Sequence, residues 1–420
     1  MTLSGPIPAA ACGCDCPERV AGLMPVEAAR TAGLALVRPV DGGEDVCLRE
    51  ARGRVLARPV TARSDMPRFD NSGMDGYALR LADLSASSAL PVSGVCAAGD
   101  GPAALKPGTM MRIYTGAPVP RGADTVVMQE HVERSGDMAR IIHLPEAGSN
   151  IRRRGEDQRQ GDEVLAAGHL LDARKLAICA GAGVGKLPVI RKPKIGFVLT
   201  GDELCAPGQN VDGGEIWDVN SPMLTALCEE AGADIAATAH VPDDRAELRA
   251  ALAGMAGRVD MIVTSGGVSV GDRDHLKPVL TSLGARIAVS GVAMKPGKPV
   301  TISRLGGAVI VSLPGNPVSA FVTWHLLGRP ILDRLLGRAV VGTSRRLVRT
   351  GSRIVHKPGR REYRPASIVG TDDAGHEVVS CGAQTHSARL APLANSDGVV
   401  LIPGDTGCVE AGDTLEFLPF

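Results

Sequence analysis

Aromatic side chains are scarce in this chain of 420 residues, which contains only five Phe, three Tyr and two Trp. Proteins that bind single-stranded nucleic acid stack its bases on several aromatic rings. A net charge is missing too, because Lys+Arg and Asp+Glu both number 46. Proteins that coat nucleic acid bind its phosphates through an excess of basic side chains. These two absences argue against nucleic acid as a partner.

Long apolar runs are also missing. No stretch reaches the roughly 18 apolar residues that a membrane-spanning helix needs. The N-terminus lacks the early positive charge and apolar core of a secretory signal peptide. We therefore expect a cytoplasmic protein with no membrane partner and with reduced cysteines. Cys12, Cys14 and Cys16 have one-residue gaps, which suit zinc poorly. We interpret residues 1–19 as a disordered tail.

Changes in composition divide the rest of the chain into four parts. The predicted parts are a split helical linker domain (20–62 plus 149–191), an inserted β domain (63–148), an α/β domain (192–338) and a C-terminal β-barrel-like domain (339–420). The helical prediction depends on apolar residues at near-helical spacing between Val46 and Leu56. Residues 192–338 alternate between strand and helix patterns, which predicts a central parallel sheet covered on both faces.

Two helices of the α/β domain have recognisable starts. Ser221 followed by Pro222 predicts an N-cap and a first helical residue. Asp244 with Glu247 is a capping-box pattern.

Three glycine-containing turns follow predicted strands of the α/β domain. They are residues 200–203 (TGDE), 264–269 (TSGGVS) and 314–317 (PGNP). Ligands of open α/β sheets bind beyond the carboxyl ends of the strands. Glycine lets the backbone come close, so that free N–H groups can bind an anion. The turns together indicate a ligand that carries phosphate.

Charged residues lie near the same turns. Acidic residues there could hold Mg²⁺ or could simply cap helices: Asp202, Glu203, Asp243, Asp272 and Asp274. Lys295 and Lys298 lie in a proline-framed turn that favours an anion-binding role over a solvated one. Residues 345–364 contain eight Lys or Arg and one acid. We interpret this stretch as a solvated strand face, with electrostatic attraction of an anion as the alternative.

Eight longer motifs together resemble the molybdopterin molybdenumtransferase family, which includes the gephyrin C-terminal domain. They occur in family order and are PRFDNSGMDGYA (67–78), RIYTGAPVPRGADTVVMQE (112–130), NIRRRGEDQ (150–158), TGDEL (200–204), GGEIWDVNSPML (213–224), TSGGVSVGDRDHLK (264–277), VAMKPGKPV (292–300) and LPGNPVSAF (313–321). The resemblance covers residues 20–420. It implies a multidomain α/β and β fold whose α/β domain binds the pterin.

The resemblance also implies a reaction and its partners. Adenylylated molybdopterin and molybdate would give molybdenum cofactor and AMP, aided by Mg²⁺ or another divalent cation. The family is usually a homodimer, with the active site between the α/β domain of one subunit and the inserted domain of the other. The implied partners are the molybdopterin adenylyltransferase and molybdoenzyme chaperones.

Site residues are carried over by motif. The implied catalytic residues are Asp75, Thr115, Glu203, Asp243, Asp274, Lys295 and Lys298, with Asp243 and Asp274 as metal ligands. The implied substrate-binding residues are Asp218, Asn220, Gly266, Gly267, Ser269, Pro314, Gly315, Asn316 and Pro317. One position departs from the family: Gly291 stands where a basic residue is common. Its charge would be missing or supplied elsewhere, for example by Arg273.

Two alternatives share parts of this fold. A scaffold or clustering protein would carry an added partner-binding region, and this chain has no long extra domain. An adenylyltransferase would be expected to be much shorter and to lack residues 63–148. Preference for molybdate over tungstate stays open.

Overall fold

The computed structural model describes residues 22–85, 87–267, 275–340, 345–382 and 387–420. The predicted tail, with Cys12, Cys14 and Cys16, lies outside the described residues. The chain forms two compact units. The insert unit is Gly43–Val189, and the core unit combines the residues up to Gly42 with Ile190–Phe420. Helix α1 (Val26–Leu34) belongs to the core unit. Within the described ranges, no helix has the length and apolarity needed to cross a membrane.

The insert unit consists mainly of strands, with one helix, α2 (Ala173–Gly181), near its end. Its strands are β1 (Gly43–Cys47), β2 (Val60–Thr61), β3 (Asn71–Ser72), β4 (Gly76–Leu79), β5 (Ala89–Cys96), β6 (Met110–Ile113), β7 (Thr125–Met128), β8 (Val132–Ser135), β9 (Met138–Ile141), β10 (Ile151–Arg152), β11 (Glu163–Leu165) and β12 (Lys186–Ile190). Six strands form a sheet in the order β7-β4-β6-β5-β9-β8. Alternate residues pack on opposite faces, Tyr77 in one cluster and Ala78 in another.

The helix expected across residues 46–56 is not formed. Val46 lies in strand β1, and the Glu50 and Ala51 N–H groups both donate to the Cys47 carbonyl in tight turns. Gly53 has a φ of 75°, which a helix does not allow. The Leu56 N–H then donates to the carbonyl of His169, 3.0 Å away. Apolar spacing over so few residues fits a strand and turns equally well, and the distant partner decides between them.

The core unit is built on a six-stranded sheet. The strands of this region are β13 (Lys194–Thr200), β14 (Leu204–Cys205), β15 (Ile216–Trp217), β16 (Asp234–Val241), β17 (Met261–Ser265), β18 (Arg286–Ser290), β19 (Met294–Lys295), β20 (Thr301–Leu305) and β21 (Ala308–Leu313). Three short strands of this region, β14, β15 and β19, lie outside that sheet. The sheet order is β16-β13-β17-β21-β20-β18. The first four strands are parallel, as predicted. The antiparallel strands β18 and β20 were not predicted, because each is short and borders a Pro- and Gly-rich turn.

Helices cover both faces of this sheet. They are α3 (Asn220–Ala231), α4 (Arg245–Ala256), α5 (Leu276–Ser282), α6 (Pro317–Thr323) and α7 (Arg329–Leu335), with a π-helical turn at Trp324–Gly328. Phe197 packs in a cluster with residues of α1, α3, α6 and α7. The next residue, Val198, packs with α4 and α5 on the other face. This alternation confirms the prediction of a central sheet covered on both sides.

A small barrel ends the chain. Its strands and helix are β22 (Arg346–Thr350), β23 (Ile354–Val355), β24 (Arg361–Thr371), β25 (Glu377–Cys381), α8 (Leu390–Ala394), β26 (Gly398–Ile402), β27 (Cys408–Val409) and β28 (Thr414–Pro419). The sheet runs β24-β25-β22-β28-β26 and closes because β26 also pairs with β24. This confirms the barrel-like prediction. Strand β19 pairs with β24 and places Lys295 opposite Glu362.

Candidate active site

The three glycine turns lie side by side. Leu199 of β13 pairs with Ser265 of β17, which pairs with Leu313 of β21. Each turn begins within two residues of its strand's end, so all three meet at one edge of the sheet. This is the edge at which ligands of open α/β sheets bind.

Position 266 must be a glycine because two of these turns lie very close together. Its φ is 89°, a conformation that residues with side chains rarely adopt. A Cβ atom at this position would lie 2.2 Å from the Thr200 carbonyl oxygen. The turn after β17 can therefore contact the end of β13 only if position 266 has no side chain.

The turns border a cavity of about 770 Å³. The predicted site residues that line it are Glu203, Asp218, Asn220, Asp243, Gly266, Gly267, Lys295, Lys298, Pro314, Gly315, Asn316 and Pro317. Ser269, Asp272 and Asp274 lie outside the described residues. Residues as far apart in the sequence as Glu203 and Pro317 thus meet at one cleft of the core unit.

Asp75 and Thr115 lie together in the insert unit. The Thr115 backbone N–H and side-chain hydroxyl donate to Asp75 Oδ1 at 2.7 and 2.8 Å. These hydrogen bonds hold the pKa of the Asp75 carboxyl below its usual range. The carboxylate therefore stays ionised at neutral pH.

Asp218 and Asn220 organise the start of helix α3. Asp218 Oδ1 accepts from the backbone N–H groups of Asn220 and Ser221 at 3.0 Å. The expectation that Ser221 caps this helix was wrong, because the buried carboxylate of Asp218 takes that place. Asn220 Nδ2 donates to Ser265 Oγ at 2.8 Å and to the Gly315 carbonyl at 2.6 Å. Asn220 thus joins two of the glycine turns.

Acidic side chains lie at the ends of β13 and β16. Asp202 Oδ1 accepts from the Asp243 backbone N–H at 3.1 Å, which joins the two turns. Glu203 and Asp243 both line the cavity. Where the chain is described, no group of three or more His, Cys, Asp or Glu side chains could hold a metal ion by itself. Mg²⁺ usually binds one or two carboxylates together with substrate oxygens. The Glu203 and Asp243 carboxylates fit that kind of shared site.

Asp244, the residue after Asp243, has a structural role. Its side chain accepts from the Ala246 and Glu247 backbone N–H groups at 2.7 and 3.0 Å. The predicted cap of helix α4 is confirmed. These bonds lower the pKa of the Asp244 carboxyl.

Among the residues that the structure describes, three cationic side chains line the cavity. They are Lys295, Lys298 and Arg360. Lys295 Nζ lies 3.2 Å from Glu362 Oε2, whose side chain is fully buried. Arg360 is also buried and donates to the Met294 carbonyl at 3.0 Å. Sequence reasoning missed Arg360, because the basic stretch 345–364 was interpreted as a solvated face.

Position 291 does not contribute a charge to the cavity. Gly291 has a φ of 86°, and a Cβ there would lie 3.0 Å from Leu23 Cδ2. Arg273, the suggested substitute, lies outside the described residues. Arg304, another cation of this region, donates to the Leu36 carbonyl instead. In the described part of the chain, Arg360 is the cation that lines the cavity together with the two lysines.

Three family models match successive parts of the chain. They are the MoeA N-terminal region (domain I and II) over residues 24–183, a probable molybdopterin binding domain over 196–334, and the MoeA C-terminal region (domain IV) over 348–420. A molybdopterin molybdenumtransferase of Haemophilus influenzae is 35% identical over 376 residues, which cover 89% of this chain and 93% of the relative. The chain belongs to the molybdopterin molybdenumtransferase family. The resemblance found in the sequence motifs is thereby confirmed.

Other members of the family are similar to this chain in sequence and in fold. Molybdopterin molybdenumtransferase 2 of Mycobacterium tuberculosis is 37% identical over 382 residues, covering 88% of this chain and 93% of the relative. A crystal structure of the molybdopterin biosynthesis protein MoeA from Pyrococcus horikoshii superimposes with a TM-score of 0.78 at 27% identity. The match covers 95% of this chain and all of that one.

Proposed function

We propose that this protein is a molybdopterin molybdenumtransferase, which inserts molybdate into adenylylated molybdopterin and releases AMP to form the molybdenum cofactor. The observation that carries the proposal is the cleft itself: among the described residues, glycine turns, three carboxylates (Glu203, Asp218 and Asp243) and three cations border one cavity. The names of the family members support the same activity. The enzyme belongs to molybdenum cofactor biosynthesis, and its proposed location is the cytoplasm.

The cations would reduce the electrostatic repulsion between the two anionic substrates of this reaction. Molybdate is a dianion, and the pterin substrate carries a dithiolate and a pyrophosphate. Two anions approach each other only where positive groups offset their repulsion. Lys295, Lys298 and Arg360 supply that charge in the proposed mechanism, with Lys295 held by the buried Glu362.

In the proposed mechanism, the glycine turns bind phosphate and the acidic side chains bind a metal ion. The backbone N–H groups of the turn with Gly266, Gly267 and Ser269 bind phosphate oxygens. The turn Pro314–Pro317 presents its backbone beside the turn that contains Gly266. We propose Asp243 and Asp274 as ligands of Mg²⁺ or another divalent cation, as the resemblance implies, and Glu203 lines the same cavity as Asp243. The ion, when bound, offsets charge on the leaving phosphate.

We further propose that the enzyme acts as a homodimer. Asp75 and Thr115 would reach the cleft from the second copy, as the resemblance implies. The ionised Asp75 carboxylate, held by Thr115, is suited to accept a hydrogen bond. The proposed partners are the adenylyltransferase that makes the substrate and the chaperones that receive the product.

The test measures AMP release and cofactor formation by the purified protein with adenylylated molybdopterin, molybdate and Mg²⁺. Lys298→Ala should slow AMP release by about 10- to 150-fold, because a charge-assisted hydrogen bond contributes about 1.5–3 kcal/mol. Lys192→Ala is the matched control, since Lys192 pairs with Asp234 and is not among the cavity residues. Absence of molybdate-dependent AMP release by the wild-type protein would refute the proposal.

A further inference from the structure

One of the two tryptophans borders the cleft with much of its surface exposed. Trp217 is 51% exposed and its neighbour Ile216 is 53% exposed. Both line the cavity, and Trp217 is the aromatic residue among its described lining residues. In a chain with so few aromatic rings, a half-exposed indole at a ligand cavity is unusual, because burying it elsewhere would add stability.

The indole is held in place by its surroundings. Strands β14 and β15 pair with Leu204 opposite Ile216 and Cys205 opposite Trp217. The indole N–H of Trp217 donates to the Gln209 carbonyl at 2.8 Å. The polar atom of the ring is therefore already bonded within the protein, and the exposed part of the side chain is its apolar surface.

The position of the ring is tied to the phosphate-binding turns. Trp217 directly precedes Asp218, whose backbone N–H donates to the Cys205 carbonyl at 2.8 Å. Asp218 in turn caps the helix whose Asn220 joins the glycine turns. The cavity thus combines a flat apolar surface with Lys295 and Lys298. A ligand that has a planar ring and an anionic group matches both.

We propose that Trp217 is a stacking platform for a planar nitrogen heterocycle of the adenylylated substrate, either the adenine or the pterin. The proposal deepens the proposed function and rests on it. Stacking of a base on an aromatic side chain tolerates different rings, because every such base has a π-face. Trp217 positions and selects the substrate and takes no part in the chemistry of insertion.

The test compares Trp217→Ala and Trp217→Phe with the wild-type protein. Calorimetry measures the Kd of each for AMP, for neopterin monophosphate and for inorganic phosphate. Trp217→Ala should weaken binding of one of the two heterocycles by about 5- to 150-fold, which corresponds to about 1–3 kcal/mol of stacking. Trp217→Phe should restore most of that affinity, and phosphate binding should stay unchanged in both variants. The heterocycle that loses affinity identifies the ring that stacks.

Intrinsic fluorescence gives a second measurement, because Trp324 is fully buried and only Trp217 can contact a ligand at the cavity. Emission of the wild-type protein should change with AMP if adenine stacks, and emission of Trp217→Phe should not. Unchanged affinity of Trp217→Ala for both heterocycles would overturn the proposal. Equal weakening of phosphate and heterocycle would overturn it too, because the ring would then only order the turns. Ring-dependent binding in a protein without AMP release would leave stacking intact and refute the proposed function instead.

Discussion

Replacing Glu362 by alanine should destabilise the core unit more than breaking a surface ion pair does. The Glu362 side chain is fully buried in β24. Its carboxylate accepts from Arg364 Nε at 2.8 Å and from Lys295 Nζ at 3.2 Å. His356 Nε2 lies 3.4 Å from the same carboxylate. Removing this carboxylate takes away the negative group that the buried Arg364 and the partly exposed Lys295 share.

The magnitude follows from what each cation keeps. Breaking a buried ion pair by removing one partner costs about 3–5 kcal/mol. Arg364 retains hydrogen bonds to the Gly382 and Val355 carbonyls at 3.2 Å, and the Lys295 side chain is 31% exposed and can be hydrated. We therefore expect the lower end, about 3 kcal/mol, for Glu362→Ala. Glu362→Gln keeps the volume and an accepting oxygen, so about 1–2 kcal/mol is expected.

Urea unfolding followed by circular dichroism measures the loss. Glu377→Gln is the control, because Glu377 pairs with Arg346 at 3.1 Å in the same barrel but near the surface. Exposed pairs of this kind contribute about 0–1 kcal/mol. The loss of free energy of unfolding should be largest for Glu362→Ala, smaller for Glu362→Gln and smallest for Glu377→Gln. Equal losses for Glu362→Ala and Glu377→Gln would refute the reasoning that burial sets the cost.

Two further predictions concern the glycine turn and a buried histidine. Gly266→Ala should destabilise the fold by more than about 1 kcal/mol and abolish phosphate binding, because its Cβ would meet the Thr200 carbonyl at 2.2 Å. Gly254→Ala, in helix α4 with open space around it, should stabilise by about 0.5–1 kcal/mol, and similar unfolding midpoints for both variants would contradict this. Burial, together with the Arg329 guanidinium, lowers the pKa of His325 to about 4. The unfolded chain then binds the proton more readily between about pH 6.5 and 4, so the free energy of unfolding should fall by about 2 kcal/mol from pH 7 to pH 5. A His325→Leu variant measured by thermal unfolding should lack this fall, and an unchanged pH dependence would show that His325 is not its source.

The family, the parallel strands of the core unit and the turns at their ends could be predicted from the amino-acid sequence alone. These features are local or depend on long motifs. The run KIGFVLT is apolar throughout because strand β13 is covered on both faces, and it ends at a glycine because the chain turns there. Asp244 caps its helix through hydrogen bonds within three residues, so its role could be predicted from spacing alone.

Features that depend on distant partners could be recognised only in the folded structure. Residues 46–56 form a strand and turns because their backbone bonds to residues more than a hundred positions away. A side chain at position 291 would meet Leu23, and the third cation among the described residues is Arg360, just before strand β24. Glu362 and Arg364 looked like part of a solvated basic stretch but are buried partners. Charge counts and apolar spacing describe neighbours along the chain, whereas burial and ion pairing depend on which strands meet in space.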